Sequence, residues 1–144
     1  MVGMLIDSRD ADGAQLTPTE IRDQIVTFIV AGHETVASAL TWAWALLAAH
    51  PDVQRRLQDE SDAVLGGRHA SFADYARLPV ARAVLDEALR LYPPAWLITR
   101  HATDTDELGG IRILPGSLII VTTWLVHRHP ALWTRPAEFS HQRS

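Results

Sequence analysis

The chain has no cysteine. That absence excludes disulfides, thiolate nucleophiles and thiolate metal ligands within its 144 residues. A basic excess is missing too: 13 Lys and Arg against 17 Asp and Glu leave a net charge of −4. Nothing in that balance favours a nucleic-acid partner, which calls for a basic surface. The N-terminus, Met1 to Ile6, lacks a basic n-region and has too short an apolar run for a signal peptide, so a cytoplasmic protein is expected. No internal repeat and no low-complexity tract interrupts the sequence. What remains is globular in composition, 47% hydrophobic and 21% charged. Residues 1–144 are of one-domain size.

The longest apolar stretch runs from Thr17 to His50. Ile21, Ile25, Phe28 and Ile29, then Val36, Ala39, Leu40, Ala43, Leu46 and Leu47, recur at helical spacing over a length that rules out a strand. Thr17 is a natural N-cap, Pro18 fits the first helical position and Glu20 completes a capping box, with Leu16 and Ile21 placed for a hydrophobic staple. His50-Pro51 ends the helix, because the residue before a proline is pushed out of the helical region. A helix from Pro18 to Ala49 would be about 48 Å long and is expected to be a buried rod. In its middle stand Ala31-Gly32-His33-Glu34-Thr35, a polar break that burial would make costly.

A second helix is expected from Pro51 to Leu65, with Val53, Leu57 and Val64 inward and Arg55/Asp59 and Arg56/Glu60 as outward i, i+4 pairs. Gly66-Gly67 stops it. Ser71 to Asp74 predicts a capped short helix ending before Pro79. The third full helix runs from Pro79 to about Tyr92, with Val80, Val84, Ala88 and Leu91 on its core face, Ala81, Leu85 and Tyr92 widening it, and Pro93-Pro94 breaking it. Residues 1–16 and the tail from Thr123 carry loop chemistry, with one or two helical turns in the tail. Between them, residues 96–99, 111–114 and 118–121 predict short strands of one small sheet. Helices first and a small sheet after give a mainly α, α+β class.

Two sets of residues could carry chemistry. Glu87 and Arg90 are i, i+3 neighbours, and Glu87 borders the apolar face, where a charge needs a partner and further hydrogen bonds. A structural role and a second arginine from elsewhere are expected. In the pentad, Gly32 could open room for a flat ligand, with Thr35 and Glu34 presenting a donor and a proton carrier. Equally, Thr35 could satisfy its hydroxyl on the Ala31 carbonyl while His33 and Glu34 point away from the core. His33-Glu34 also begins a zinc-protease motif, which fails at Ala37. His127, His129 and His141 read as solvated loop histidines rather than metal ligands. A membrane reading of Ile25 to Ala49 is disfavoured by His33, Glu34 and the charged Glu20, Arg22 and Asp23.

These motifs together resemble one family, the cytochrome P-450 superfamily of haem-thiolate monooxygenases, particularly its soluble bacterial members. The match is carried by A-G-x-E-T at Ala31 to Thr35, E-x-x-R at Glu87 to Arg90 and the following Leu91-Tyr92-Pro93-Pro94. It continues through His127-Arg128-His129-Pro130, Trp133 and the run from Pro136 to Arg143. The resemblance implies a partial P-450 fold over residues 1–144, a haem cofactor, a small organic substrate and a ferredoxin or flavoprotein electron donor. It implies that Thr35 and Glu34 help deliver protons during dioxygen activation, that Ala31 and Gly32 lie over the haem face, and that Arg100 pairs with a haem propionate. Glu87, Arg90 and Arg143 would form the structural triad, Arg143 being the second arginine. The axial cysteine of the family is absent, and His129, His141 and Ser144 stand where Asp, Pro and Phe are usual. The expectation is a fragment of a monooxygenase, ending by truncation or frameshift and inactive alone for want of that ligand. The alternative is a non-enzymatic remnant or interaction module.

Overall fold

The computed structural model describes residues 2–9 and 13–142. The chain divides into two compact units, residues 1–38 and 39–144, and the long helix runs from the first into the second.

In the first unit, helix α1 spans Val2–Asp7, a helix that the loop chemistry of residues 1–16 did not announce. The Ser8 hydroxyl donates to the Leu5 carbonyl at 2.7 Å just past its end, and Arg9 bridges Gln15. Helix α2 then runs over Pro18–Ala49, the bounds its proline punctuation requires. The capping box is formed: Thr17 donates to Glu20 Oε2 from its amide at 2.8 Å and from its hydroxyl at 2.7 Å, while the Glu20 amide donates back to Thr17 Oγ1 at 3.3 Å. The expected buried rod is not observed. Only Ala43 and Leu47 of α2 are buried; Phe28, Ile29, Val30 and Val36 are exposed. Apolar periodicity tells which residues want cover, and the described residues do not supply enough of it.

The second unit holds the core. Helix α3, Pro51–Leu65, ends at Gly66 in the left-handed conformation (φ 57°), which glycine adopts without a Cβ clash. Leu47, Val53 and Val84 form the buried cluster, with Leu57, Val80 and Phe139 packed on it. Helix α4, Pro79–Leu91, buries Val84, Ala88 and Leu91 as its spacing predicts, although Leu85 stays on the surface. The expected Arg56/Glu60 pair does not form. Glu60 instead accepts from the Val80 amide at 2.7 Å and the Ala81 amide at 3.0 Å, satisfying orphan donors in the first turn of α4. Asp59 likewise makes no ion pair with Arg55 among the described residues.

Between α3 and α4, the 3-10 helix Phe72–Arg77 opens with a capping box in which Ser71 donates to Asp74 Oδ2 from its amide and its hydroxyl, both at 2.9 Å. Asp74 is buried and also takes two hydrogen bonds from Arg68, at 2.6 and 2.7 Å. The Arg68 hydrogen bond, reinforced by Ser71, holds the Asp74 carboxyl well below the usual carboxylate range.

The strands form two antiparallel ribbons, not one small sheet. Strand β1, Ile98–His101, pairs with β4, Leu118–Val121. Strand β2, Asp106–Leu108, pairs with β3, Ile111–Ile113, across the Gly109-Gly110 turn. Both of those glycines have positive φ, 59° and 81°, which a tight hairpin turn requires. The first strand starts two residues later than its apolar residues predict. Strand β2 went unseen because its sequence, Asp-Glu-Leu, has no β propensity. Helix α5, Thr123–Val126, is the helical turn expected in the tail.

Candidate functional site

Two groups of candidate residues emerge, one in each unit. The first is the pentad on α2, where Ala31, Gly32, His33, Glu34 and Thr35 all lie on exposed surface. Thr35 Oγ1 donates to the Ala31 carbonyl at 2.6 Å, the local satisfaction open to a helical threonine. Its oxygen keeps lone pairs free to accept. A Cβ built on Gly32 meets nothing within 4 Å, so the helix face there is open. Among the described residues, Glu34 has no ion-pair partner.

The second group surrounds α4. Glu87 and Arg90 are 4% and 5% exposed, burial that only near-complete hydrogen bonding tolerates. Arg90 Nε donates to Glu87 Oε2 at 2.7 Å and Nη2 to Oε1 at 2.8 Å, a bidentate fork. Nη1 donates to the carbonyls of His127 and Pro136 at 2.7 and 2.8 Å, and Nη2 to that of Glu138 at 3.1 Å. Each of the guanidinium's N–H groups thus has an acceptor. Glu87 Oε1 also accepts from the Ser140 amide at 2.9 Å. The His127 ring returns the contact, Nδ1 lying 3.2 Å from the Arg90 carbonyl. Trp133 covers the Arg90 guanidinium at 5.0 Å and donates from Nε1 to the Val126 carbonyl at 3.1 Å.

This pair therefore gathers the irregular segment 127–140 onto α4. That is architecture: the pair is saturated and has no donor left over for a reacting group. The expected second arginine, Arg143, lies outside the described residues. The carbonyls of His127, Pro136 and Glu138 were missed from sequence. Their signal is the proline punctuation of the tail, which leaves carbonyls without ladder partners. Arg100 sits on β1 opposite Ile119. It is exposed, and its Nη1 donates only to the adjacent Thr99 carbonyl at 2.8 Å. No group of three or more His, Asp or Glu able to hold a metal occurs among the described residues.

Each unit by itself holds one feature suited to a flat prosthetic group with acidic substituents. In the first, Gly32 leaves the α2 face open; in the second, Arg100 holds a guanidinium without a carboxylate partner among the described residues. The thiolate expected opposite such a group is not among these 144 residues.

The comparisons agree with the motifs. The family model described as cytochrome P-450 matches residues 1–143. The chain is 48% identical over 134 residues to cyclooctatin synthase of Streptomyces melanosporofaciens, covering 93% of this chain and 29% of that protein. It is 39% identical over 143 residues to pentalenene oxygenase of Streptomyces avermitilis, covering 99% and 32%. Among solved structures, the retinoic acid-bound cyanobacterial CYP120A1 superposes with a TM-score of 0.92 at 30% identity, over 99% of this chain and 33% of that one. The chain thus spans less than a third of the length of these two curated relatives. With the pentad, the Glu87–Arg90 fork and this family match in agreement, the chain belongs to the cytochrome P-450 family.

Proposed function

We propose that these residues are the oxygen-side wall and the α4 support of a haem monooxygenase acting on a small organic substrate. The observation that carries the reading is the pentad: an open glycine face on α2 with a threonine hydroxyl about one turn of helix on, and a carboxylate next to that threonine in the chain. Ala31 and Gly32 would lie against the haem, and Arg100 would pair with one of its propionates through a charge-assisted hydrogen bond. When bound, the haem would supply dioxygen activation, a chemistry that in this family draws on a cysteine thiolate; no cysteine occurs among these 144 residues.

The chain's own part is proton handling. Thr35 holds its hydroxyl proton on the Ala31 carbonyl and accepts through its free lone pairs. For onward donation the hydroxyl must swing off that carbonyl, and Glu34 is the adjacent group able to replace the proton. Glu87 and Arg90, with Arg143 as third member, hold the 127–140 segment in place and touch no reactant. The relatives' names, a pentalenene oxygenase and a cyclooctatin synthase, support an apolar carbon skeleton as substrate. A ferredoxin or flavoprotein donor and a cytoplasmic setting belong to the same proposal. By length and composition alone α2 could cross a membrane, but His33 and Glu34 at its middle make that placement expensive.

The test is haemin titration of the purified chain, read by absorbance and then by the carbon monoxide complex of the reduced form. Arg100→Gln is expected to weaken haem binding about tenfold, the worth of one charge-assisted hydrogen bond. The carbon monoxide complex is expected to lack the thiolate-type band. Unchanged affinity in the variant removes Arg100 from the reading, and a thiolate-type band overturns the account of the missing ligand.

A further inference from the structure

Within the second unit, four side chains form a continuous stack. The Trp42 and Tyr92 rings lie face to face, centroids 3.8 Å apart and planes inclined by 5°. The Arg128 guanidinium sits 5.5 Å from the Tyr92 centroid and, on another side, 4.4 Å from that of Trp124. Aromatic pairs ordinarily settle into offset or edge-to-face arrangements at 4.5–7 Å, so this contact is unusually close and parallel. Neither the proton-handling pentad nor the Glu87–Arg90 hub uses it.

We propose that the Trp42–Tyr92 stack is a radical-transfer pair, in which an oxidising equivalent arriving at the Trp42 indole passes to the Tyr92 phenol and is held there. The step balances. A one-electron oxidant takes an electron from Trp42, whose indole N–H proton goes to water, leaving a neutral indolyl radical. Tyr92 then gives one electron to Trp42 and its phenolic proton to water, while Trp42 regains a proton from water. The products are intact Trp42 and a Tyr92 phenoxyl radical.

Three features favour this direction. Parallel overlap at 3.8 Å puts the two π systems in direct electronic contact, with no intervening bond or solvent. Trp42 is 41% exposed, so it can meet an oxidant, whereas Tyr92 is half-buried behind it. Arg128 stands on the Tyr92 side of the stack, 5.5 Å from the ring centroid, and a cation there disfavours a positively charged ring relative to the neutral phenoxyl. Arg128 has no carboxylate partner among the described residues, and its Nη1 is buried without a hydrogen bond. Its positive charge is therefore not neutralised at the stack. In a family whose chemistry handles dioxygen, such a pair would carry stray oxidising equivalents to a phenol that can be re-reduced. The transfer itself needs no bound haem.

The experiment is pulse radiolysis of the full chain with azide radical as the one-electron oxidant, following decay of the indolyl absorption and growth of the phenoxyl absorption. The chain has only two tyrosines, so the phenoxyl can be assigned. In the wild type, a phenoxyl phase independent of protein concentration is expected. Tyr92→Phe should lose that phase while keeping the ring stack, Tyr75→Phe should retain it, and Trp42→Phe should lose its fast component. A fast phase surviving in Tyr92→Phe or in Trp42→Phe, or a rate that scales with protein concentration, overturns the proposal. Far-ultraviolet circular dichroism of each phenylalanine variant checks that the helices persist.

Discussion

Arg90 is charged and 5% exposed, while Ile29 is apolar and 60% exposed. The two residues stand for the two regions that organise this chain. Around α4, polar groups are buried and fully matched: a carboxylate, a guanidinium, three carbonyls and an amide close on one another. Along α2, apolar groups from Val26 to Leu40 face outward. Burial alone therefore does not rank importance here. The polar hub is closed by residues of this chain, whereas the apolar face finds no cover among the described residues. Breaking the charged pair should accordingly cost more than truncating a side chain on the exposed apolar face, because it strands a buried charge.

The largest effect should come from breaking the hub. Glu87→Ala strands Arg90 as a buried, unpaired cation and should cost about 3–5 kcal/mol of stability, measured by urea unfolding. Ile29→Ala, although it deletes a large apolar side chain, should change stability by about 0.5 kcal/mol or less, as for other surface positions. Equal losses for the two variants would mean that the α2 face is covered in solution, and the contrast between the regions would collapse.

Much of this contrast is legible in the sequence. The bounds of α2 follow from Thr17, Pro18, Glu20 and the His50-Pro51 step, all local signals. The need of Glu87 for company follows from its place at the edge of the α4 apolar stripe. What stayed hidden is non-local. The carbonyls that complete Arg90 come from residues 37 to 48 positions away, in a tail with no periodicity to reveal its path. The pairing of β1 with β4 across the β2–β3 hairpin is likewise a matter of long-range register. That α2 would be exposed could not be read from its pattern, since an apolar stripe is the same whether or not its cover is present. Glu60 was misassigned for a related reason: i, i+4 spacing to Arg56 was visible, but the α4 amides that outbid it are 20 and 21 residues away.

A smaller effect, with a distinctive pH signature, is expected at Asp74. Its carboxylate is held by Arg68 and Ser71, and its pKa lies below the unfolded value of about 3.9. A depressed folded-state pKa contributes stability that is fully present above the unfolded value and lost as pH falls through the folded one. Asp74→Asn should therefore be less stable than wild type near neutrality, with the gap shrinking as pH drops below about 4. The loss should be smaller than at Glu87, because Arg68 and Arg77 are themselves half-exposed and regain water when the carboxylate is removed. Parallel pH–stability curves for the two proteins would show that the charge of Asp74 contributes nothing.

A small effect of the opposite sign, and the one that separates stability from function, is expected at Gly32. In α2 its backbone is helical, and a Cβ there meets nothing within 4 Å. Gly32→Ala should stabilise the chain by about 0.5–1 kcal/mol, since alanine loses less conformational freedom in a helix than glycine. If the open face exists to admit a haem, the same methyl group should weaken haemin binding while the helix gains stability. Opposite signs for the two measurements would tie the glycine to the ligand and not to helix packing. A loss of stability in Gly32→Ala would mean that something already lies against this face, and the pentad would then join the hub as a packed structural element.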